Sequence, residues 1–291
     1  MNKPATVSVV ILTWNRKDDL RFTLERLKRE RYAPLEVIVV DNNSTDGTAA
    51  MMAADFSQFR YLPQSENRGI AGYNIGFKAA TGDYIVALDS DSYPAQDAIT
   101  RMAGIFERHP EAGIVAFDVH ADVHGGGERP VPGAAVTEVY GYHGAGVGIR
   151  RAVFEKAGYW WEPLFLYFNE MDHALRTASE GFAILYSPAV RAYHKSSPVA
   201  RPGERGAFFY TRNAFWIVWR HYPFWEACIA TAYLIYNALG ETIWQGTGVY
   251  LRAAAAAFGG AHAALRERRP LHPALFTRTR IPLKLVFTRF R

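Results

Sequence analysis

The chain has 291 residues, 49% of them hydrophobic, enough to bury a core in one large domain or two small ones; this excludes global disorder. Lys and Arg total 33 against 28 Asp and Glu, yet the excess is local: residues 222–291 hold nine basic and three acidic side chains, net +6, which leaves 24 against 25, net −1, for residues 1–221. Basicity confined to the tail argues against a nucleic-acid-binding core, and a single cysteine, Cys228, excludes an intrachain disulfide.

Val7–Leu12 (VSVVIL) reads as a fully buried strand, too short for a signal peptide, and the expected setting is cytoplasmic. The loop Thr13-Trp14-Asn15-Arg16 follows, then a helix to about Arg29 with Leu20, Leu24 and Leu27 on one face. Leu35–Val40 is a second buried strand, closed by Asp41 and the turn cluster Asn42–Gly47. A short strand around Phe59–Leu62 leads to Glu66-Asn67-Arg68-Gly69 and a helix to about Ala80. Asp83–Leu88 (DYIVAL) is the fourth strand and runs into Asp89-Ser90-Asp91, with Pro94 ending it. Continuous apolar strands alternating with helices predict a mostly parallel, open twisted sheet with helices on both faces.

Further on, the pattern predicts a helix over Gln96–Arg108, a strand over Gly113–Phe117 and a mobile loop over His120–Pro132. Tyr140–Arg150 is glycine-rich, which would let a substrate approach the backbone. A short helix at Arg151–Ala157, a helix from Asn169 to about Ser179, a strand at Phe182–Tyr186 and a polar stretch holding His194 complete this part.

Residues at the carboxyl ends of parallel strands share one rim, where open α/β sheets bind ligands. Thr13–Arg16, Asp41, Asp89 and Asp91 all fall at such ends. Two carboxylates two residues apart either form a polar turn or repel one another until a divalent cation lies between them. Asp41 suits a ribose or base, or it caps its own turn. Asn67, Arg68 and Gly69 suit phosphate oxygens, or they form a surface loop. No GxxxxGK[ST] occurs, and no GxGxxG follows the first strand, so P-loop and dinucleotide folds are unsupported.

In order, TWNR, VVDNNSTDGT, ENRGIAGYNIG, LDSD, GAG–GIRR, FLYFNEMDHALR and AYHKSS make the chain resemble family-2 glycosyltransferases of the GT-A fold, most of all their rhamnosyltransferase-like branch. The resemblance runs from about Val7 to Arg220. It implies a GT-A catalytic domain over 1–221 and a basic, aromatic helical extension over 222–291. It implies inverting transfer of a sugar from a nucleotide-diphosphate donor, a UDP- or dTDP-sugar, to the hydroxyl of a glycan or lipid-linked acceptor in bacterial cell-surface polysaccharide or glycolipid assembly. Thr13, Asn15 and Asp41 would hold the nucleoside, and Asn67 and Gly69 would line the donor site. Asp89 and Asp91 would be the metal-binding DxD pair for Mn²⁺ or Mg²⁺, Asp91 the stronger ligand and Asp89 also near the ribose, with His194 completing the shell. Arg212-Asn213 matches a pair expected near the diphosphate. The base position departs from the family's Glu-Asp-x-Asp: here Asn169-Glu170-Met171-Asp172 makes Glu170 the base, with Asp172 the fallback about 200° away on the helix.

A nucleotidyltransferase also uses paired acids, and a non-catalytic nucleotide-sugar or glycan-binding module fits an altered base motif. The tail is aromatic and basic, and its uncharged run Ala227–Gly240 is short of the ~20 residues that span a bilayer. It suits peripheral contact with the inner face of the plasma membrane, or a helical hairpin packed on the core or on another subunit of a homo-oligomer.

Overall fold

The computed structural model describes residues 4–122, 135–195 and 203–279. The loop expected at His120–Pro132 lies almost wholly outside them, as does the closing IPLKLVFTRFR. The chain forms two compact units: Met1–Trp160 with Arg176–Ser197, and Trp161–Leu175 with Pro198–Arg291. The boundary expected between 221 and 222 falls inside the second unit; composition changes there but packing does not.

In the first unit, strands β1 (Val7–Thr13), β2 (Leu35–Asp41), β3 (Arg60–Pro63), β4 (Tyr84–Asp89), β5 (Ser92–Pro94), β6 (Ala112–Ala121), β7 (Thr137–Glu138), β8 (Val147–Arg150) and β9 (Ala183–His194) make one sheet. Its order is β3-β2-β1-β4-β8-β6-β9-β5, with β7 also on β9. Pairing is parallel across β3-β2-β1-β4 and between β6 and β9. It is antiparallel where β8 meets β4 and β6, and where β5 and β7 meet β9. The sheet is therefore α/β but mixed. The parallel half is the part whose strands are long apolar runs; β8 has four residues, too few to carry a direction in their pattern. Two glycines of the Tyr140–Arg150 stretch also differ from expectation. A Cβ on Gly148 would collide with Met102, and one on Gly146 would sit 2.8 Å from the Cβ of Ala192, so they serve close packing rather than substrate approach.

Helices α1 (Lys17–Leu27), α2 (Thr48–Asp55) and α4 (Ala98–Arg108) cover one sheet face. Leu20, Leu24, Met52, Met102 and Phe106 pack there against Val9, Ile11, Val39 and Val86. Alternate residues face the other way, where α3 (Gly72–Ala79) lies so close that a Cβ on Gly76 would strike Val10 and Val40. The Phe77 ring of α3 lies tilted against Phe154 of α5 (Arg151–Lys156) at 4.8 Å and meets Trp160 edge-on at 5.1 Å. Register places the site: Thr13 pairs with Asp41 and Leu12 with Asp89, so the ends of β1, β2 and β4 share one rim.

The second unit is helical. It holds the start of α6 (Asn169–Ser179), then α7 (Glu204–His221), α8 (Phe224–Gln245), α9 (Val249–Gly259), α10 (Ala261–Arg266) and α11 (Pro273–Thr279). Trp216 of α7 lies against Gly260 and donates its indole N–H to the Ala257 carbonyl at 3.0 Å. On α8, Ala227, Ala230, Leu234 and Ala238 face inward, whereas Trp225, Ile229, Tyr236, Ile243 and Trp244 are exposed.

Candidate active site

β4 ends on Asp89, and the chain turns through Ser90 and Asp91 into β5. β5 lies antiparallel to the end of β9, with Ser92 opposite His194, and the Lys195 N–H donates to the Asp91 carbonyl at 2.8 Å. This pairing brings residues about a hundred positions apart in sequence together. His194 Nε2 is 3.1 Å from Asp91 Oδ1 and 3.9 Å from Asp89 Oδ2, and one ligand atom from each residue lies within 4.8 Å of the others. The expected polar stretch around His194 is thus the last part of a strand.

Charges in the cluster are matched. Arg16, in the loop after β1, donates to Asp91 Oδ2 at 2.8 Å and reaches Asp19 at 3.3 Å, which Lys195 holds at 3.2 Å. Tyr73 of α3 donates to Asp89 Oδ1 at 2.9 Å. Burial, then the charge of Asp91, pushes the Asp89 carboxyl above its ordinary value. Burial acts the same way on Asp91, but the hydrogen bond and charge of His194 and the charge of Arg16 outweigh it and hold that carboxyl low. The bond to Asp91 raises His194, against its burial. The neighbouring His143 ring, 6.0 Å from that of His194, is pushed down by burial.

Two carboxylates and an imidazole converging this closely fit a divalent first-row cation, and the nitrogen donor suits Mn²⁺ better than Mg²⁺. Loading would require His194 Nε2 to be unprotonated, and the Arg16 charge on Asp91 Oδ2 would oppose the cation.

The expected donor-binding residues lie at the same rim. Thr13 is buried with its hydroxyl unpartnered. Asn15, at φ 52°, accepts from the Thr45 N–H at 2.7 Å and donates its own N–H to the Ser44 hydroxyl at 2.8 Å. Asp41 accepts from the Ser44 N–H at 2.9 Å and from the Tyr61 hydroxyl at 2.5 Å, so both its oxygens are engaged. Asn67 Oδ1 accepts from the Gly69 N–H, and Asn42 donates to the Gly69 carbonyl, which ties this loop to the end of β2.

In the second unit, Glu170 sits half-buried in the first turn of α6. Asp172 is fully buried, 2.9 Å from Arg220 Nε and 2.8 Å from His221 Nε2. The fallback assignment of Asp172 as base is therefore at odds with its surroundings: its carboxylate is sealed in an ion pair and has no exposed face for an acceptor. Arg212 and Asn213 direct their donors onto main-chain carbonyls of residues 163–167.

Residues 8–172 match the sequence profile described as Glycosyl transferase family 2, more than half of the chain. The chain belongs to that family. It is 30% identical over 112 residues to a poly-beta-1,6-N-acetyl-D-glucosamine synthase of Staphylococcus aureus, covering 38% of this chain and 27% of that one. It is 30% identical over 130 residues to the amylovoran biosynthesis glycosyltransferase AmsB of Erwinia amylovora, covering 42% of each. The matches thus span about a quarter to two fifths of these relatives. Among solved structures, a mannosyltransferase from Pyrobaculum calidifontis in complex with GDP-Man and Mn²⁺ superposes with a TM-score of 0.58 at 22% identity, over 89% of this chain and 75% of that one. S. aureus TarS in complex with UDP-GlcNAc superposes with a TM-score of 0.56 at 19% identity, over 72% and 65%. These likenesses establish the GT-A fold.

Within this family-2 chain, the sequence placed Arg16 on the rim and, through the resemblance, Asp89, Asp91 and His194 at one point, but not Tyr73, His143 and Asn42. Asn42 had a signal, since it follows a strand's carboxyl end. Tyr73 had none, because a tyrosine on a helix ordinarily joins the core.

Proposed function

We propose that the chain is a metal-dependent, inverting glycosyltransferase. It moves a sugar from a nucleotide-diphosphate donor to a hydroxyl of a glycan or lipid-linked acceptor, in bacterial cell-surface polysaccharide or glycolipid assembly. The convergence of Asp89, Asp91 and His194 on the rim of a family-2 sheet carries this reading. Relatives named for polysaccharide synthesis, and neighbours holding UDP-GlcNAc or GDP-Man, support the substrate class.

Asp91, Asp89 and His194 would hold the cation, Mn²⁺ or Mg²⁺, which when bound neutralises charge on the diphosphate. Thr13, Asn15, Asp41, Asn67 and Gly69 would line the donor's nucleoside and phosphate side. Glu170 accepts the proton of the attacking hydroxyl; its half-open place in the first turn of α6 favours it over the sealed Asp172. Family membership weighs against a nucleotidyltransferase, as does TWNRKDD, a poor substitute for the basic phosphate-binding loop such enzymes carry near the N-terminus.

The proposed setting is the cytoplasmic face of the plasma membrane. No helix among the described residues is long and apolar enough to cross a membrane. The outward side of α8 instead offers Phe224, Trp225, Ile229, Tyr236 and Ile243 with no lysine or arginine on the helix, and residues 222–291 carry net +6. Aromatic side chains beside a basic segment suit an anionic bilayer surface. Flotation with phosphatidylglycerol vesicles is expected to carry the protein upward, and Trp225→Glu with Ile243→Glu to abolish this; flotation unchanged in the double variant would remove membrane contact through α8.

The deciding test is thermal unfolding with UDP-GlcNAc, GDP-mannose or a dTDP-sugar, each with and without Mn²⁺. One donor is expected to raise Tm only with metal, by about 2.7 kcal/mol of stabilisation at a hundredfold excess over Kd. If no donor does so with Mn²⁺ or Mg²⁺, the reading fails.

A further inference from the structure

The segment that leads into α6 is backbone-strained. Phe165, Tyr167 and Phe168 have φ of 61°, 64° and 66°, three aromatic residues in the left-handed region within four positions. Glycine adopts that region freely, but side chains of this size do so only when their surroundings hold them there. The holding groups come from α7. The Tyr167 ring stacks on Tyr210 at 4.1 Å, Phe168 meets the same ring edge-on at 5.7 Å, and Phe165 stacks on Phe209 at 5.3 Å.

The polar part of the hold is Asn213, which is fully buried. Its Nδ2 lies 3.1 Å from the Leu164 carbonyl, 2.6 Å from that of Leu166 and 3.1 Å from that of Tyr167. Its Oδ1 accepts from Arg212 Nε at 2.9 Å and Nη2 at 2.7 Å. The amide orientation is fixed by chemistry: carbonyls can only accept and a guanidinium can only donate. Arg212 Nη2 also reaches the carbonyls of Pro163 at 3.0 Å and Leu164 at 2.7 Å. The guanidinium lies over the Trp216 ring at 4.1 Å and, among the described residues, faces no carboxylate in an ion pair. Two adjacent α7 side chains thus grip four carbonyls of residues 163–167.

The gripped segment ends at Phe168, whose carbonyl accepts the Asp172 N–H at 2.9 Å in the first turn of α6. Glu170 lies inside that turn. Its carboxylate is carried by a turn whose entry is strained and externally held, rather than by a relaxed glycine loop.

We infer that Arg212 and Asn213 are positioning residues for Glu170: they fix the strained Pro163–Phe168 segment and through it aim the carboxylate of the first α6 turn. This rests on the reading of Glu170 as the base. It gives the Arg212-Asn213 pair a role other than the diphosphate contact expected from resemblance. Neither side chain touches substrate in this account.

A double-mutant cycle tests it, with nucleotide release from whichever of UDP-GlcNAc, GDP-mannose or a dTDP-sugar the thermal panel selects, measured per folded enzyme. Asn213→Asp keeps the size and the acceptor toward Arg212 but turns an oxygen on the three carbonyls. It is expected to lower kcat about 10- to 100-fold, as displacement by about 1 Å does elsewhere. The Tm rise given by the matching nucleoside diphosphate (UDP, GDP or dTDP) with Mn²⁺ stays as in the parent. Glu170→Gln alone is expected to lower kcat about 10²- to 10⁴-fold with the same response to that nucleoside diphosphate. The double variant should be no slower than Glu170→Gln. Losses that multiply would overturn the positioning role, because a segment of purely structural importance acts independently of Glu170. Full activity in Glu170→Gln alone would instead bring down the base assignment, a separately visible failure. If Asn213→Asp lacks native circular dichroism, Arg212→Lys takes its place in the cycle. It leaves the amide on its carbonyls, and its expected loss is about 3- to 10-fold, again vanishing in the Glu170→Gln background.

Discussion

Asp91, at the strand-end cluster of the first unit, and Asp172, inside the helical second unit, are each held by one arginine and one histidine. The distances barely differ: 2.8 and 3.1 Å from Arg16 and His194 for Asp91, 2.9 and 2.8 Å from Arg220 and His221 for Asp172. What differs is the freedom of the partners. The Arg16 and His194 side chains are 22% and 32% exposed, those of Arg220 and His221 2% and 1%. Partners at a rim can swing into water and yield an oxygen to an incoming cation. Partners sealed among Trp161, Glu267 and the α7 core cannot, and their aspartate is fixed for good. The same three residue types therefore make a candidate ligand cluster in one place and a structural lock in the other, and burial of the basic groups decides which.

Removing the locked carboxylate should have the largest effect on stability. Asp172→Ala leaves the Arg220 and His221 donors buried without their acceptor, and losing one member of a buried ion pair costs about 3–5 kcal/mol. That corresponds to a fall in Tm of roughly 10 °C for a chain this size, with turnover per folded molecule unchanged. Calorimetry alongside single-turnover kinetics checks it. An Asp172→Ala protein with parental Tm and no transfer would reverse the contrast and restore Asp172 as base.

Asp91→Ala should behave in the opposite way. Its partners can reach water, so the stability change without ligand stays within about 1 kcal/mol. The stabilisation given by a donor with Mn²⁺, about 2.7 kcal/mol at a hundredfold excess over Kd, should vanish. A metal-dependent rise in Tm that survives Asp91→Ala would mean the cation is held elsewhere.

The difference between these two aspartates was only half legible in the sequence. LDSD follows a run of apolar residues ending a parallel strand, so its place on the rim could be read directly. His194 could be named but not built in, because Pro188 and a register shift between Phe117 and Asp118 hide a twelve-residue strand. Asp172 was the harder case. Its partners lie 48 and 49 residues downstream in a helix whose composition announces only a core, so motif position and helix angle ranked it below Glu170 but could not show that it is locked. The antiparallel β8 was lost for a related reason: its direction is set by neighbours distant in sequence, not by its own four residues. Local pattern gave strands, helices and rim; long-range ion pairs and strand direction required the fold.

The smallest expected effect bears most directly on the claim that rim partners are displaceable. Arg16 donates at 2.8 Å to Asp91 Oδ2, the oxygen beside the Oδ1 that faces His194, and its other contact, Asp19, is already shared with Lys195. Arg16→Met keeps the apolar stem and removes the competing charge. The competing ion pair is partly exposed and worth about 0.2–1 kcal/mol, so its loss should tighten Mn²⁺ binding to the nucleotide-free protein by up to about fivefold. Isothermal titration with MnCl₂ measures this without any substrate. The corresponding change in the helical unit, Arg220→Met, should leave Mn²⁺ affinity untouched while lowering Tm. Weaker Mn²⁺ binding in Arg16→Met would mean that the guanidinium organises Asp91 for the ion instead of competing with it, and exposure would no longer distinguish the two trios.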